Sequence, residues 1–329
     1  MIRLLSLLFL SLSLSSGSAL AQNKASLAEN DSAYDTLLIQ HRGRVKPFLS
    51  FAQELTASLT GRNSVSLPDH GKIGSRQLIL SLWQKPAGWE NEPIILVEDP
   101  ALRKTFNLAP DTRHFPPRLL ATQPQLADLT RQADAARASG PQTEIPPLAL
   151  AAQTVSLRLR IFSSLISGDA FRVVPPSSGS PAEAPWSTTR SPIDLPDLLE
   201  AQKRADLPST KIQLEVAYLK YHPFRLAWIA WLLSAFLLLI AGQNLKHSLL
   251  PWGKTLAYLG LLLLIIGFAA RVYIAGRPPV TNMYESILWV AFGAGLFAVI
   301  FSIRHRSNLY LIAASPIIIL SLIASDLQP

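Results

Sequence analysis

The sequence predicts a mainly α, polytopic membrane protein in which an exported, mostly helical α+β domain precedes four transmembrane helices. Three observations predict it. Four long stretches nearly free of charge follow Arg225, the chain opens on a short apolar run behind one basic residue, and the segment between has the composition of ordinary water-soluble protein. Only 16% of the 329 residues are charged, against about 25% in soluble domains. The apolar surplus therefore sits at the two ends rather than in one oversized core.

Residues 1–21 read as a secretory signal peptide. Arg3 precedes an apolar run, and Ala19-Leu20-Ala21 offers a small-residue cleavage site. The run is short for a bilayer-spanning helix of about 20 residues, so the mature chain is expected to begin outside the cytoplasm. Residues 22–174 follow as the exported domain. YDTLLIQHRGRVKP is an apolar run that turns through Gly43 and leads into an amphipathic helix from Pro47. SRQLILSLWQK is a second helix, EPIILVED a short strand, and PALRKTF a helix with proline at its first position. Gln123–Ala138 is a polar helix and Leu148–Ile166 a more apolar one. Residues 175–196 turn to Pro, Ser, Ala and Thr, a composition that buries too little apolar surface to fold and reads as a linker. Residues 197–224 then carry a juxtamembrane helix toward the membrane domain, 225–329.

The four spans of that domain are expected at about 226–242, 255–274, 286–303 and 309–324. Each is about 16 to 20 residues, close to what a helix needs to cross a ~30 Å hydrocarbon core. Export of the middle would put Lys246, Lys254, Arg304 and Arg306 in cytoplasmic loops, leaving Arg271 and Arg277 outside. Short inner loops are richer in Lys and Arg, as the positive-inside rule requires. Trp228, Trp231, Trp252 and Trp289 are expected near helix ends at the interface. The protein is thus expected in the cytoplasmic (inner) membrane, multi-pass, with its large N-terminal domain on the periplasmic side. The net charge of +8 invites a nucleic-acid reading, but its basic residues are scattered or flank apolar segments; no nucleic-acid partner is expected.

The absence of cysteine excludes a disulfide framework, a thiolate metal site, covalent haem attachment within this chain and a cysteine nucleophile. There is no Gly-x-Ser-x-Gly, no His-Glu-x-x-His and no phosphate loop. His41, His70 and His114 are separated by tens of residues and read as surface or capping histidines. Glu98-Asp99 reads as a turn pair. No metal site and no self-contained active site is predicted.

The informative string is the loop between the second and third spans: Gly276, Arg277, Pro278, Pro279, Val280, Thr281, Asn282, Met283, Tyr284, Glu285 and Ser286. Gly276 and the two prolines turn and stiffen the chain. Thr281 or Asn282 can cap the third helix, and Glu285 lies in its first turn, where a carboxylate favours the positive end of the helix dipole. Capping does not account for the whole string, which resembles the signature of CcsA/ResC-type (System II) cytochrome c assembly proteins. The earlier HRGRVKPFLSFAQEL resembles an exported segment of longer members. The resemblance implies a membrane component of cytochrome c maturation that handles or presents haem at the outer face for attachment to apocytochrome c. It implies haem as the group handled, other cytochrome c assembly membrane proteins and thiol reductants as partners, and at most a share in a haem–cytochrome c ligation (synthetase) complex. Near the outer face, His222 could meet haem iron, and Arg277 could pair with a haem propionate or with Glu285. His247 and His305 fall on the cytoplasmic side and read as polar loop residues.

The family's tryptophan-rich outer loop, of the WGxxWxWD kind, is absent before the chain stops at SDLQP. The expectation is an N-terminal part of a longer protein, the alternative being a second chain that supplies the loop. A different class of reading is a membrane-anchored binding or scaffold protein with no haem role. A transporter half is disfavoured, because the spans hold almost no charged residues.

Overall fold

The computed structural model describes residues 25–140, 143–176, 184–189, 195–203, 209–242, 247–277 and 283–326. The expected signal peptide, most of the expected linker and Pro278 to Asn282 of the loop motif lie outside the described residues. The fold class is the expected one: among the described residues, a helical domain with small sheets is followed by four helices long and apolar enough to cross a membrane.

The chain divides into two compact units. The first takes in Ile39–Arg44 and Phe51–Gln202 together with the described residues ahead of Ala33. The described residues form four two-stranded sheets: β1 (Leu38–His41) with β2 (Arg44–Pro47), β3 (Ser64–Leu67) with β4 (Gly71–Gly74), β5 (Ile95–Leu96) with β6 (His114–Phe115), and β7 (Arg172–Val174) with β8 (Ser187–Thr188). The turn between β1 and β2 places Arg42 at φ 51° and Gly43 at φ 76°, the two left-handed positions of a tight hairpin. In the β3–β4 pair Val65 lies opposite Ile73, and both are buried. EPIILVED was expected to be one short strand. Only Ile95–Leu96 pairs, and Val97 donates from its backbone N–H to the Arg113 carbonyl at 2.8 Å.

The helices α1 (Phe48–Thr60), α2 (Ser75–Gln84), α3 (Pro100–Thr105), α4 (Pro117–Ala121), α5 (Pro124–Ala138), α6 (Pro147–Ile166) and α7 (Leu195–Lys203) complete this part of the chain. Five of them (α3 to α7) have proline in the first turn, where its missing N–H costs no helical hydrogen bond. The core of the first unit is aromatic. Phe171 stacks on Trp83 with ring centres 4.4 Å apart and meets Phe51 edge-on at 5.7 Å, while Trp89 is fully buried. The Asp99 side chain caps α3 by accepting from the Leu102 N–H at 2.7 Å. Asp99→Ala is expected to cost about 1 kcal/mol, whereas Asp99→Asn keeps most of it. Denaturant unfolding followed by tryptophan fluorescence checks this, and an equal effect of the two substitutions would contradict the cap.

The second unit contains α8 (Ser209–Tyr221) and the four apolar helices α9 (Pro223–Gly242), α10 (Leu250–Ala275), α11 (Met283–His305) and α12 (Leu309–Asp326). Helices α10 and α11 run past their expected limits at both ends, α9 at its start only and α12 at its end only. Two seven-residue repeats join α9 to α10. Phe224, Trp231 and Leu238 face Gly267, Gly260 and Gly253 in antiparallel order, and a Cβ placed on these glycines would lie within 2.6–2.7 Å of the facing side chain. A period of seven keeps one seam facing its partner along paired helices. Small residues let backbones approach in a bilayer, where no hydrophobic effect drives helices together. Trp231, expected at the interface, is instead fully buried in this seam. Its indole N–H has no hydrogen-bond partner among the described residues.

Ser234 donates to the Gly253 carbonyl at 2.7 Å and fixes the same pair of helices. Helix α12 packs on both α9 and α11. It contains Pro316, which has no N–H to donate to the Ile312 carbonyl one turn earlier.

The second unit also claims Ala33–Leu38 and Val45–Ser50. These segments form a strap: Phe48 donates from its backbone N–H to the Leu37 carbonyl at 2.7 Å, and the Tyr34 and Phe48 rings lie 6.1 Å apart. Asp35 of the strap, 1% exposed, pairs with Lys220 of α8 at 2.8 Å. Lys46 on the strap and Glu215 on α8 are buried as well.

Candidate functional site

Besides the strap, two described parts of the second unit bring charged side chains together: the α8–α9 junction, and the ends of α10 and α11 that flank the loop motif. Helix α10 ends on Gly276 at φ 69°, whose N–H donates to the Val272 carbonyl at 2.8 Å. This is the left-handed closing residue that ends many helices and strongly favours glycine. It explains the first residue of the motif locally. The chain leaves it at Arg277 and re-enters the described residues at Met283, the first residue of α11.

Glu285 lies in the first turn of α11 and is almost wholly buried. Its carboxylate receives Arg271 of α10 at 3.4 Å on one oxygen and Arg277 at 3.7 Å on the other. The expected pairing of Arg277 with Glu285 is thus present, although too long to be a hydrogen bond. Arg271 was read from the sequence only as an outer charge. It also reaches the Tyr218 hydroxyl of α8 at 3.4 Å. The spacing of Arg271 and Arg277 carries no warning that both meet one carboxylate; that meeting needs the turn at Gly276.

His222 occupies the break between α8 and α9 at φ 46°. Its N–H donates to the Tyr218 carbonyl at 3.1 Å, and its own carbonyl accepts from Arg225 and Leu226 at 2.9 and 3.2 Å. It therefore closes one helix and opens the next. Arg225, in the first turn of α9, makes a two-pronged pair with Asp326 at the end of α12, the closest contact being 2.9 Å. That geometry is the strong form of an arginine–carboxylate pair. The Glu285 pairs are looser.

The remaining motif residues contribute less that can be described. Pro278, Pro279, Val280, Thr281 and Asn282 lie outside the described residues, so the expected capping by Thr281 or Asn282 does too. Met283 is exposed, and Ser286 is the fourth residue of α11; of Tyr284 only its place in the helix is described.

The other histidines are dispersed. The His114 ring nitrogen meets the Thr60 carbonyl at 2.9 Å, His41 lies edge-on to Phe51 at 5.3 Å, and His70 stacks near Trp89 at 6.5 Å. His305 lies at the far end of α11, 5.5 Å from the Tyr310 ring. Among the described residues, no group of three or more His, Asp or Glu side chains could hold a metal ion.

No family model matches the chain. It is similar to Protein NrfI of Wolinella succinogenes, at 22% identity over 345 residues, an alignment that takes in 90% of this chain and 36% of the relative. The chain thus spans about a third of the length of that relative, and the likeness covers its helical domain and its apolar helices together.

Proposed function

We propose that this chain is a membrane component of cytochrome c maturation that handles or presents haem, at the outer face of the inner membrane, for attachment to apocytochrome c. The observation that carries the reading is the paired arginines, Arg271 and Arg277, gathered where the loop motif leaves α10. The resemblance of that motif to cytochrome c assembly proteins supports it, and the likeness to Protein NrfI points the same way. Four apolar helices make the lipid bilayer a partner.

The described residues suit one end of the haem molecule better than the other. Haem carries two propionates, and arginine presents a planar fork that matches carboxylates. Half of the Arg277 side chain is exposed, so an approaching anion can reach it. For the iron, His222 is the histidine at this end of the unit. Its left-handed backbone is held by capping bonds. The thioether bonds of a cytochrome c need reduced cysteines on the client. This chain has none of its own, so thiol reductants belong among its partners, beside other assembly proteins.

The test is the haem content of the purified protein, measured after detergent extraction by the pyridine haemochrome spectrum. Arg277→Glu is expected to remove most of the bound haem and to lower the yield of mature cytochromes c in cells. Unchanged haem and cytochrome levels in that variant would remove Arg277 from the site. Wild-type protein without haem, together with normal cytochromes c after gene deletion, would establish the scaffold reading instead.

A further inference from the structure

We propose that the turn between α11 and α12 binds one anionic phospholipid, with Arg304 and Arg306 on its phosphate and the outer stripe of α11 along an acyl chain. The site lies at the opposite end of α11 from the loop motif and is independent of the haem reading.

Charge is the first support. Between Glu215 and Asp326 the sole carboxylate side chain is that of Glu285. It precedes Arg304 by nineteen residues, about 28 Å along a helix that rises 1.5 Å per residue. Asp326, at the far end of α12, is held by Arg225. Arg304 and Arg306 are both exposed and have no ion-pair partner among the described residues. Arg306 takes φ 52° just past α11, and α12 begins three residues later. Two guanidinium groups therefore stand on one tight turn without a counter-ion, and each presents a planar fork that matches phosphate oxygens.

Shape and polarity are the second support. Back from Arg304 along α11, Phe301, Phe297, Gly293 and Val290 follow at spacings of three and four residues, so they share one face. Phe301 is 42% exposed, Phe297 58% and Val290 55%. The two phenylalanine rings stack with centres 6.1 Å apart. A Cβ added to Gly293 would meet nothing within 4 Å, which leaves a notch beyond that flat wall. From Gly293 to Arg304 the stripe runs about 16 Å and is apolar until it reaches the arginine. Tyr310 of α12 packs on Phe301 at 5.7 Å and ties the wall to the other side of the turn. An apolar track that ends in cations has the polarity of an amphiphile with an anionic head. A soluble anion would use only the arginines, and a zwitterionic lipid would bring a cation that the arginines repel.

Native mass spectrometry of the full-length protein, released from detergent with phosphatidylglycerol or phosphatidylcholine added, counts the bound lipids and ranks their affinities. One phosphatidylglycerol is expected to stay bound after phosphatidylcholine has been lost. Arg304→Gln combined with Arg306→Gln is expected to weaken phosphatidylglycerol about 25-fold, about fivefold for each arginine at an anionic lipid surface, and to leave phosphatidylcholine unchanged. Arg304→Lys with Arg306→Lys keeps the charge and should keep most of the binding. Lys254→Gln, which removes a cation from α10, should not alter it. An equal loss in Lys254→Gln would make the effect one of total charge and overturn the proposal. Equal retention of the two lipids by the wild type would make the stripe ordinary lipid-facing surface and also overturn it. Displacement of the lipid by glycerol phosphate, which has the head but no acyl chain, would leave a soluble anion on the arginines and no lipid site. A particle of twice the chain's mass, with lipid adducts indifferent to headgroup, would make the stripe an interface between two copies and no lipid site. Loss of folded protein in both the glutamine and the lysine variants would make the arginines structural and overturn the proposal as well.

Discussion

Gly260→Leu is expected to break the pairing of α9 with α10 and to destroy the folded membrane unit. A Cβ on Gly260 would lie 2.7 Å from the Trp231 ring, and that ring is fully buried with no room to swing away. Overpacking a tight core costs about 1–3 kcal/mol and occasionally more. Here a whole leucine side chain must enter the seam. The displaced indole has Gly295 of α11 behind it, whose added Cβ would already stand 3.4 Å from the Trp231 ring. A loss of about 3 kcal/mol or more is therefore expected. It would be read as a collapse of monodisperse protein after detergent extraction and a fall in melting temperature. Gly260→Ala should show a smaller effect in the same direction. Combining Gly260→Leu with Trp231→Ala should recover part of the loss, since the two residues share one space and their effects cannot be independent. A Gly260→Leu protein that elutes and melts like the wild type would refute the seam.

That seam shows which parts of the fold can be read before the structure is known. The four spans are legible because membrane thickness sets their length and hydropathy sets their position. Of the other helices, α2, α3 and α6 were legible from apolar spacing or from proline at the start, and α5 was read as a polar helix. The matched repeats, Phe224-Trp231-Leu238 and Gly253-Gly260-Gly267, were present in the sequence too. Uniform hydropathy hides them, because within an apolar helix every face looks alike and only residue size marks the seam. Trp231 was placed at the interface for the general preference of indoles, and the local supply of glycine overrode it.

The site was half legible. Its string of residues and the pairing of Arg277 with Glu285 could be reached from the motif. Arg271 could not, because its distance from Glu285 depends on how Gly276 closes α10 and how α11 starts. The strap was hidden for a different reason. Asp35, Lys46 and Glu215 have the sequence character of solvated charges, and nothing local announces that all three are buried. Their burial is set by tertiary contacts between segments about 170 residues or more apart in the chain.

Lys220→Glu is the second substitution with a large expected effect, and it acts on that strap. Asp35 is 1% exposed and lies 2.8 Å from the Lys220 ammonium. Removing one partner of a buried pair costs about 3–5 kcal/mol when both groups are buried. Lys220 is 46% exposed, so water offsets part of that, and about 2 kcal/mol is a fair expectation for loss of the pair. Reversing the charge adds repulsion between two carboxylates at the same distance. The strap should then open while the apolar helices stay paired, since neither residue lies in the α9–α10 seam. Hydrogen exchange reads this directly: the Phe48 amide, bonded to the Leu37 carbonyl, and its neighbours in residues 45–50 should lose protection, and amides of α10 should keep theirs. Adding Asp35→Asn removes the repulsion and should restore most of the protection. Because α8 also brings Tyr218 to Arg271, release of the strap should loosen that contact and weaken haem retention less than Arg277→Glu does. Full protection of the strap in Lys220→Glu would show that Asp35 is held by its other surroundings and that the ion pair contributes nothing to the clasp.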